Sequence, residues 1–310
     1  MLGLECDVAV IGGGICGLAA AAEAAELGAS VVCIEPSPLP GGQVANVGVL
    51  GSYPAPTSVS GAVLAETLKE RFATLGGTLV ESRVTAVQIA APRFEVTTQD
   101  RMVRAHAVII ASGGRLHALG VPGEGELSGR GVSQCDWCDG GLFRDADVAV
   151  VGGGDAALQA ALHLGEICRS VAVIVRGSRL RARRRYLQAA AECERIAFHW
   201  ETVVEQVLGK ECVEGVVLRS IADGSMQELP VRGVFVFVGA DPNVEFLPPD
   251  VQRDARGLVE TDSDGRTSVP GVFAAGAVRR GYRGLIVNAL SEGAVAAAAA
   301  TEYLQKRGLL

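Results

Sequence analysis

Two cysteines separated by two residues, Cys135 and Cys138, stand in the run Cys135-Asp-Trp-Cys-Asp-Gly140. That spacing lets the sulfurs close a small ring, and a thiolate in such a pair can have a lowered pKa, so the pair suits thiol–disulfide exchange. A zinc site would need a second pair or histidines at compatible spacing, and the four histidines, at 106, 117, 163 and 199, form no such group. No metal is expected. Asp139 follows the second cysteine directly, and the sequence leaves two tasks open for it. It can protonate a departing thiolate, or it can cap the turn before Gly140. The remaining cysteines, at 6, 16, 33, 168, 193 and 212, lie in apolar stretches where cysteine acts as a small hydrophobe.

Two glycine-rich runs could hold phosphates. Gly12-x-Gly14-x-x-Gly17 opens a small-residue helix over Leu18 to Leu27, and Glu35 ends the next apolar stretch. A pyrophosphate would sit on that helix N-terminus, with the Glu35 carboxylate on a ribose hydroxyl. Gly152-x-Gly154-x-x-Ala157 repeats the arrangement, but Arg176 stands where an acid would be. A guanidinium there favours a 2′-phosphate, hence NADPH over NADH. Arg179, Arg181, Arg183, Arg184 and Arg185 follow closely. How many touch the cofactor and how many form a solvated helix start stays open.

The elements that must carry these loops are visible as short apolar runs, Val8 to Ile11, Val31 to Ile34, Val148 to Val151 and Val171 to Val175, alternating with stretches of helical period. That alternation predicts βαβ units on parallel sheets. The run Asp7-Val-Ala-Val-Ile-Gly-Gly-Gly recurs as Asp147-Val-Ala-Val-Val-Gly-Gly-Gly, so two mononucleotide-binding folds are expected. A third apolar run, Val272 to Ala275, and an Ala-rich helix over Val287 to Tyr303 could join either fold on pattern alone.

A chain of 310 residues fits two cores. With 49% apolar and 20% charged residues it reads as a packed α/β protein. The net charge of −7 argues against nucleic acid. No basic stretch precedes Val8 and no apolar run reaches the ~18 residues of a membrane span, so a cytoplasmic protein with no membrane partner is expected.

Taken in order, these motifs resemble the low-molecular-weight thioredoxin reductases over nearly the whole chain. The matching stretches are the Gly12 to Gly17 loop, Pro40-Gly-Gly-Gln43, Ser52-Tyr-Pro54, Ala111-Ser-Gly-Gly114, Gly120-Val-Pro-Gly-Glu124, Gly129-Arg-Gly-Val-Ser133 and Cys135/Cys138/Asp139. Gly152-Gly-Gly-Asp155, Val234-Phe-Val-Phe-Val-Gly239 and Val269-Pro-Gly-Val-Phe-Ala-Ala-Gly276 complete them. The resemblance implies two Rossmann-like domains, the second inserted into the first: an FAD-binding domain over 1–116 and 245–310, and an NAD(P)H-binding domain with the redox pair over 117–244. It adds Gly42, Gln43 and Gly276 to the FAD residues, and Arg181 to Arg176 for NADPH. It further implies a homodimer, and a rotation at linkers near Gly113 to Leu119 and Gly239 to Phe246. Under it, Cys138 faces the flavin, Cys135 attacks or releases the substrate disulfide, and Asp139 serves as acid and base.

Several positions depart from the family pattern. Ala277 stands where an aspartate usually holds the flavin ribityl chain, a charge-assisted hydrogen bond worth ~1.5–3 kcal/mol. The arginine motif reads Val175-Arg-Gly-Ser-Arg-Leu-Arg-Ala182 and keeps only part of its charge. Trp137 replaces a small residue between the cysteines, and Gly284 replaces a glutamine. The expected activity is transfer of electrons from NADPH through FAD and Cys135/Cys138 to a thioredoxin-like protein or a small-molecule disulfide or dithiol. Two rivals share the fold: a dithiol oxidase that uses oxygen, and a ferredoxin-dependent disulfide reductase permitted by the eroded arginine motif. A flavin-binding sensor without turnover is disfavoured, because Cys135, Cys138 and Asp139 are all present.

Overall fold

The computed structural model describes residues 3–51, 53–54 and 58–310, so Ser52 of the Ser52-Tyr53-Pro54 match lies outside the described residues. The chain forms two compact units, one of Met1–Arg115 with Asp241–Leu310 and one of Leu116–Ala240.

The first unit is built on β1 (Gly3–Ile11), β2 (Val31–Glu35), β3 (Thr78–Glu81), β4 (Val84–Ala90), β5 (Arg93–Thr98) and β6 (Met102–Ile110). Their spatial order is β3-β2-β1-β6-β5-β4, and the late strand Val272–Ala274 pairs parallel with β6. Strands β1, β2, β3 and β6 run parallel, while β4 and β5 form an antiparallel extension. Val8 and Val10 face one core and Ala9 and Ile11 the other, which is why β1 is a continuous apolar run rather than an alternating one.

Helix α1 (Ile15–Glu26) returns the chain from β1 to β2, and α2 (Gly61–Thr74) leads into β3. It begins at Ile15, ahead of the expected Leu18, because the glycine loop itself ends on the N-cap, Gly14. The C-terminal helix Ile286–Gln305 lies against α1 so closely that a Cβ on Gly293 would be 2.3 Å from the Cys16 carbonyl oxygen. Alanine and glycine are what that spacing admits. This packing and the Val272–Ala274 pairing assign Asp241–Leu310 to the first unit, a choice the sequence pattern of the late strand and helix left open.

The second unit repeats the plan. Its parallel sheet has the order Ile196–Trp200, Ser170–Val175, Asp147–Val151, Gly233–Val236, Val132–Ser133. Val148 and Val150 enter one core, Ala149 and Val151 the other. An antiparallel layer of Thr202–Gly209, Val213–Ser220 and Met226–Leu229 covers one face. The inserted unit ends at Ala240 rather than at the expected 244, and hydrogen bonding gives the reason. Asn243 donates its backbone N–H to Gly113 O (3.1 Å) and its Nδ2 to Ser112 O (2.9 Å), and its carbonyl accepts from Ser112 Oγ (2.7 Å). Asn243 is thereby tied to the first unit. Among the described residues no helix is long and apolar enough to cross a membrane.

Candidate redox centre and dinucleotide cradles

The cysteine pair sits on a one-turn helix, α3 (Asp136–Asp139), directly after the strand Val132–Ser133. Cys135 is its N-cap, with extended backbone at φ −140° and ψ 101°. That geometry swings the Cys135 side chain back over the turn, so Cys135 and Cys138 form a disulfide with Cα atoms 5.3 Å apart. The Cys138 N–H donates to Cys135 Sγ at 3.1 Å.

Beneath the ring lies a polar anchor that sequence reading left without a role. Buried Ser133 donates from Oγ to Asp139 Oδ2 (2.6 Å), and the same oxygen accepts the Cys135 N–H (3.0 Å). Asp139 is therefore fixed at the base of the redox ring, and its own N–H donates to Cys135 O at 3.2 Å. The Asp139 carboxylate makes no capping bond to the turn at Gly140 and is held by Ser133 instead. On the other flank, Asp136 Oδ2 is 2.8 Å from Nδ1 of His163, a residue of α4 (Asp155–Ile167). Trp137 stacks on the His163 ring.

The first glycine loop is shaped by close backbone approaches. Gly12 has φ 103°, and a Cβ there would lie 2.4 Å from Ala111 O, while a Cβ on Gly17 would lie 1.8 Å from Gly12 O. Neither position accepts a side chain. Gly14 caps α1 without any side-chain acceptor, and the first turn holds no acid, so its backbone N–H groups are available to an anion. Glu35 accepts from the N–H of Gly13 (2.6 Å) and of Ser37 (3.0 Å), which fixes its carboxylate at the end of β2.

The other residues expected around this loop converge on it, because β1, β2, β6 and Val272–Ala274 are parallel and all end on one edge. Gly41 N–H donates to Gly13 O (2.7 Å), and a Cβ on Gly42 would lie 3.2 Å from Gly14 Cα. Gln43 Nε2 donates to Gly114 O at 2.6 Å. Gly276 has φ 75° and meets Cys16 in the first turn of α1. The arrangement fits a dinucleotide: a cradle that Cβ atoms would fill, free helix N–H groups, and one carboxylate. Ala277 is exposed, and the nearby carboxylate of Glu292 accepts the Gly276 N–H (2.9 Å) and pairs with Arg279 (3.3 Å).

The second loop repeats the close approach. Gly152 has φ 141°, with a virtual Cβ 2.3 Å from Phe237 O. Ala157 is fully buried and tolerates its own methyl, which would lie 3.1 Å from a Cβ on Gly152. Of the arginines, Arg183 serves structure: its N–H and its guanidinium both bind Asp155, at 2.7 and 2.9 Å. Arg185 covers the Tyr186 ring at 4.4 Å. Arg176 and Arg181 are exposed, and no carboxylate is within ion-pair distance of either among the described residues. The Arg181 N–H donates to Gly153 O (2.8 Å), which holds its segment against the loop.

Two dinucleotide cradles on separate βαβ units, with a disulfide in a two-residue spacing, define a flavin- and nicotinamide-dependent disulfide oxidoreductase. The family described as pyridine nucleotide-disulphide oxidoreductase matches residues 6–293, and the chain belongs to it, among the low-molecular-weight thioredoxin reductases. The chain is 38% identical over 299 residues to a thioredoxin reductase of Treponema pallidum, covering 96% of this chain and 97% of that one. A Lactococcus lactis thioredoxin reductase structure superposes with a TM-score of 0.93 at 33% identity, covering 97% and 99% of the two chains. The thioredoxin reductase of T. acidophilum gives 0.91 at 31% identity, with the same coverage. The enzyme is an FAD-dependent disulfide oxidoreductase that uses NADPH.

Proposed function

We propose that this protein reduces the disulfide of a thioredoxin, with the electrons travelling from NADPH through FAD to Cys135 and Cys138. The observation that carries this reading is the Cys135–Cys138 disulfide anchored through Ser133 to Asp139. FAD, when bound, accepts a hydride from NADPH and delivers two electrons to that disulfide. The net reaction consumes NADPH, one proton and a disulfide, and yields NADP⁺ and two thiols.

The residues divide the work. Gly12, Gly14, Gly17, Glu35, Gly42, Gln43 and Gly276 hold FAD. Gly152, Gly154 and Ala157 take the pyrophosphate of NADPH, and Arg176 and Arg181 take its 2′-phosphate. The exposed, carboxylate-free state of these two arginines favours a nicotinamide donor over ferredoxin. Cys135 attacks the substrate disulfide, which agrees with the N–H of Cys138 pointing at its sulfur. Cys138 resolves the mixed disulfide and exchanges electrons with the flavin. Asp139 donates a proton to the leaving thiolate and takes it back on the return.

We further infer a homodimer, on the family likeness, and a cytoplasmic setting. Cys6, Cys16, Cys33, Cys168, Cys193 and Cys212 are free thiols, as a reducing compartment requires. Anaerobic mixing with NADPH, and separately with NADH, followed by oxidised thioredoxin, tests the reading. NADPH should bleach the flavin absorbance and thioredoxin should restore it, with one NADPH consumed per disulfide. A flavin that neither nicotinamide bleaches, or one that thioredoxin leaves bleached, refutes it.

A further inference from the structure

Neither cradle needs the ring pair beside the sulfurs. Trp137, between the two cysteines, lies on the His163 imidazole with ring centroids 3.7 Å apart and planes 16° from parallel. Asp136 holds that imidazole at Nδ1, and these two side chains are 15% and 14% exposed. Trp137 itself is 41% exposed. Cys138, the next residue, is also exposed. So the carboxylate pins the imidazole, the imidazole covers one face of the indole, and the rest of the indole meets solvent at the redox turn.

We propose that Trp137 is a substrate-contact residue, a fixed aromatic platform that docks the apolar surface around the disulfide of a partner protein. His163 and Asp136 act as its positioning residues. The inference rests on Cys135 and Cys138 being the disulfide-reducing pair. Three considerations support it. A ring whose two χ angles are already fixed forfeits little freedom when a partner arrives. Small ligands are enclosed in concave sites that bury most of their surface, whereas an indole standing out from a one-turn helix can only be covered by a macromolecular surface. Tryptophan is also among the residues that dominate such contacts.

The test uses the FAD-loaded enzyme and compares kcat/KM for oxidised thioredoxin with kcat/KM for the small disulfide dithiobis(nitrobenzoate). A dominant contact residue is worth a factor of about 30. Trp137→Ala should therefore lower the thioredoxin-to-small-disulfide ratio about 30-fold, through KM for thioredoxin. His163→Ala should shift the ratio the same way, and His163→Phe, which keeps a ring under the indole, should restore most of it. In a Trp200→Phe background Trp137 is the sole indole, and its emission should change on His163→Ala as the stack is released. An unchanged ratio in Trp137→Ala overturns the proposal. A loss shared equally by both disulfides also overturns it, since Trp137 would then serve the sulfur chemistry. An emission unaltered by His163→Ala removes the positioning role. Should Trp137→Ala fail to fold, Trp137→Phe and His163→Ala carry the comparison. A wild-type enzyme that reduces neither disulfide sinks the underlying reading first, which no change in the ratio alone can do.

Discussion

The Ser133 anchor offers a measurement of how Asp139 acts. Its hydroxyl donates to the Asp139 carboxylate at 2.6 Å and accepts the Cys135 N–H at 3.0 Å, so one oxygen ties the acid to the redox turn. A hydrogen bond to a charged group contributes about 1.5–3 kcal/mol. At about 1.4 kcal/mol per tenfold, full loss of the Asp139 placement in Ser133→Ala corresponds to a ~10- to 150-fold fall in disulfide turnover. Asp139→Asn removes the proposed proton donor itself and should cost ~10²–10⁴. Both changes act through one carboxylate, so the double variant should turn over no more slowly than Asp139→Asn alone. Stopped-flow bleaching of the flavin by NADPH, which precedes any sulfur chemistry, should keep its rate in all three proteins. Steady-state thioredoxin reduction should carry the whole effect. Ser133→Ala also leaves the half-buried Cys135 N–H without its acceptor, at a stability cost below the ~1–3 kcal/mol of a fully buried group, which thermal unfolding reads separately. Additive losses in the double variant would falsify the anchoring argument, and slowed bleaching would show that the turn serves hydride transfer instead.

Other outcomes follow from the same geometry. Cys135→Ser and Cys138→Ser should each abolish thioredoxin reduction while NADPH still bleaches the flavin, because exchange needs an attacking and a resolving thiol; near-normal turnover in either variant contradicts the assigned redox centre. Arg176→Ala and Arg181→Ala should raise KM for NADPH more than KM for NADH, and equal changes for both nucleotides would deny them the 2′-phosphate. Gly17→Ala places a methyl 1.8 Å from the Gly12 carbonyl oxygen and should yield protein without FAD, so a yellow, fully loaded variant contradicts the cradle. Burial pushes the thiols of Cys6, Cys16 and Cys33 up to about 12 and that of Cys168 up to about 11, so at pH 8 iodoacetamide should reach exposed Cys212 first, as peptide mass mapping can read; equal labelling of Cys16 would refute it.

Much of the molecule was readable from residue type and spacing, and the unread parts share a cause. Local rules suffice where the needed contact is a few residues away. The glycine loops declare a turn that no side chain can enter, and the buried strands declare themselves as apolar runs. The pairing of Cys135 with Cys138 follows from one helical turn. What stayed hidden depends mostly on partners distant in sequence. Nothing local says that His163, on the next long helix, reaches back to Asp136 and Trp137; the bond of Ser133 to Asp139 is local but depends on the strand running straight into a one-turn helix. The five clustered arginines read alike in sequence, yet Arg183 is taken by Asp155, which could be known only once α4 and the segment before α5 (Arg184–Glu192) were folded together. The inserted unit ends earlier than expected for the same reason, since the bonds between Asn243 and Ser112 join residues 131 apart in sequence.

The two glycine loops show how one backbone device is turned to two ligands. In each, the first glycine has a positive φ and is pressed against a neighbouring strand-end carbonyl, Ala111 O for Gly12 and Phe237 O for Gly152. That contact fixes where the loop can run, and so where a pyrophosphate can lie. The third position then sets how tightly helix and loop close: Gly17 admits no methyl against Gly12 O, whereas Ala157 carries one without conflict. Discrimination enters only at the end of the next strand. There Glu35 is held by the N–H groups of Gly13 and Ser37, and in the proposed function it would accept from ribose hydroxyls, while Arg176 stands exposed and without a carboxylate and would donate to an extra phosphate. Glu35 also anchors its loop through Gly13, whereas the Arg176 side chain is exposed, so a change at Arg176 should alter nucleotide preference without disturbing the second loop. Arg176→Glu should shift the second cradle from NADPH toward NADH while the protein still binds FAD, and a loss of both nucleotides would show that Arg176 holds the loop rather than the phosphate.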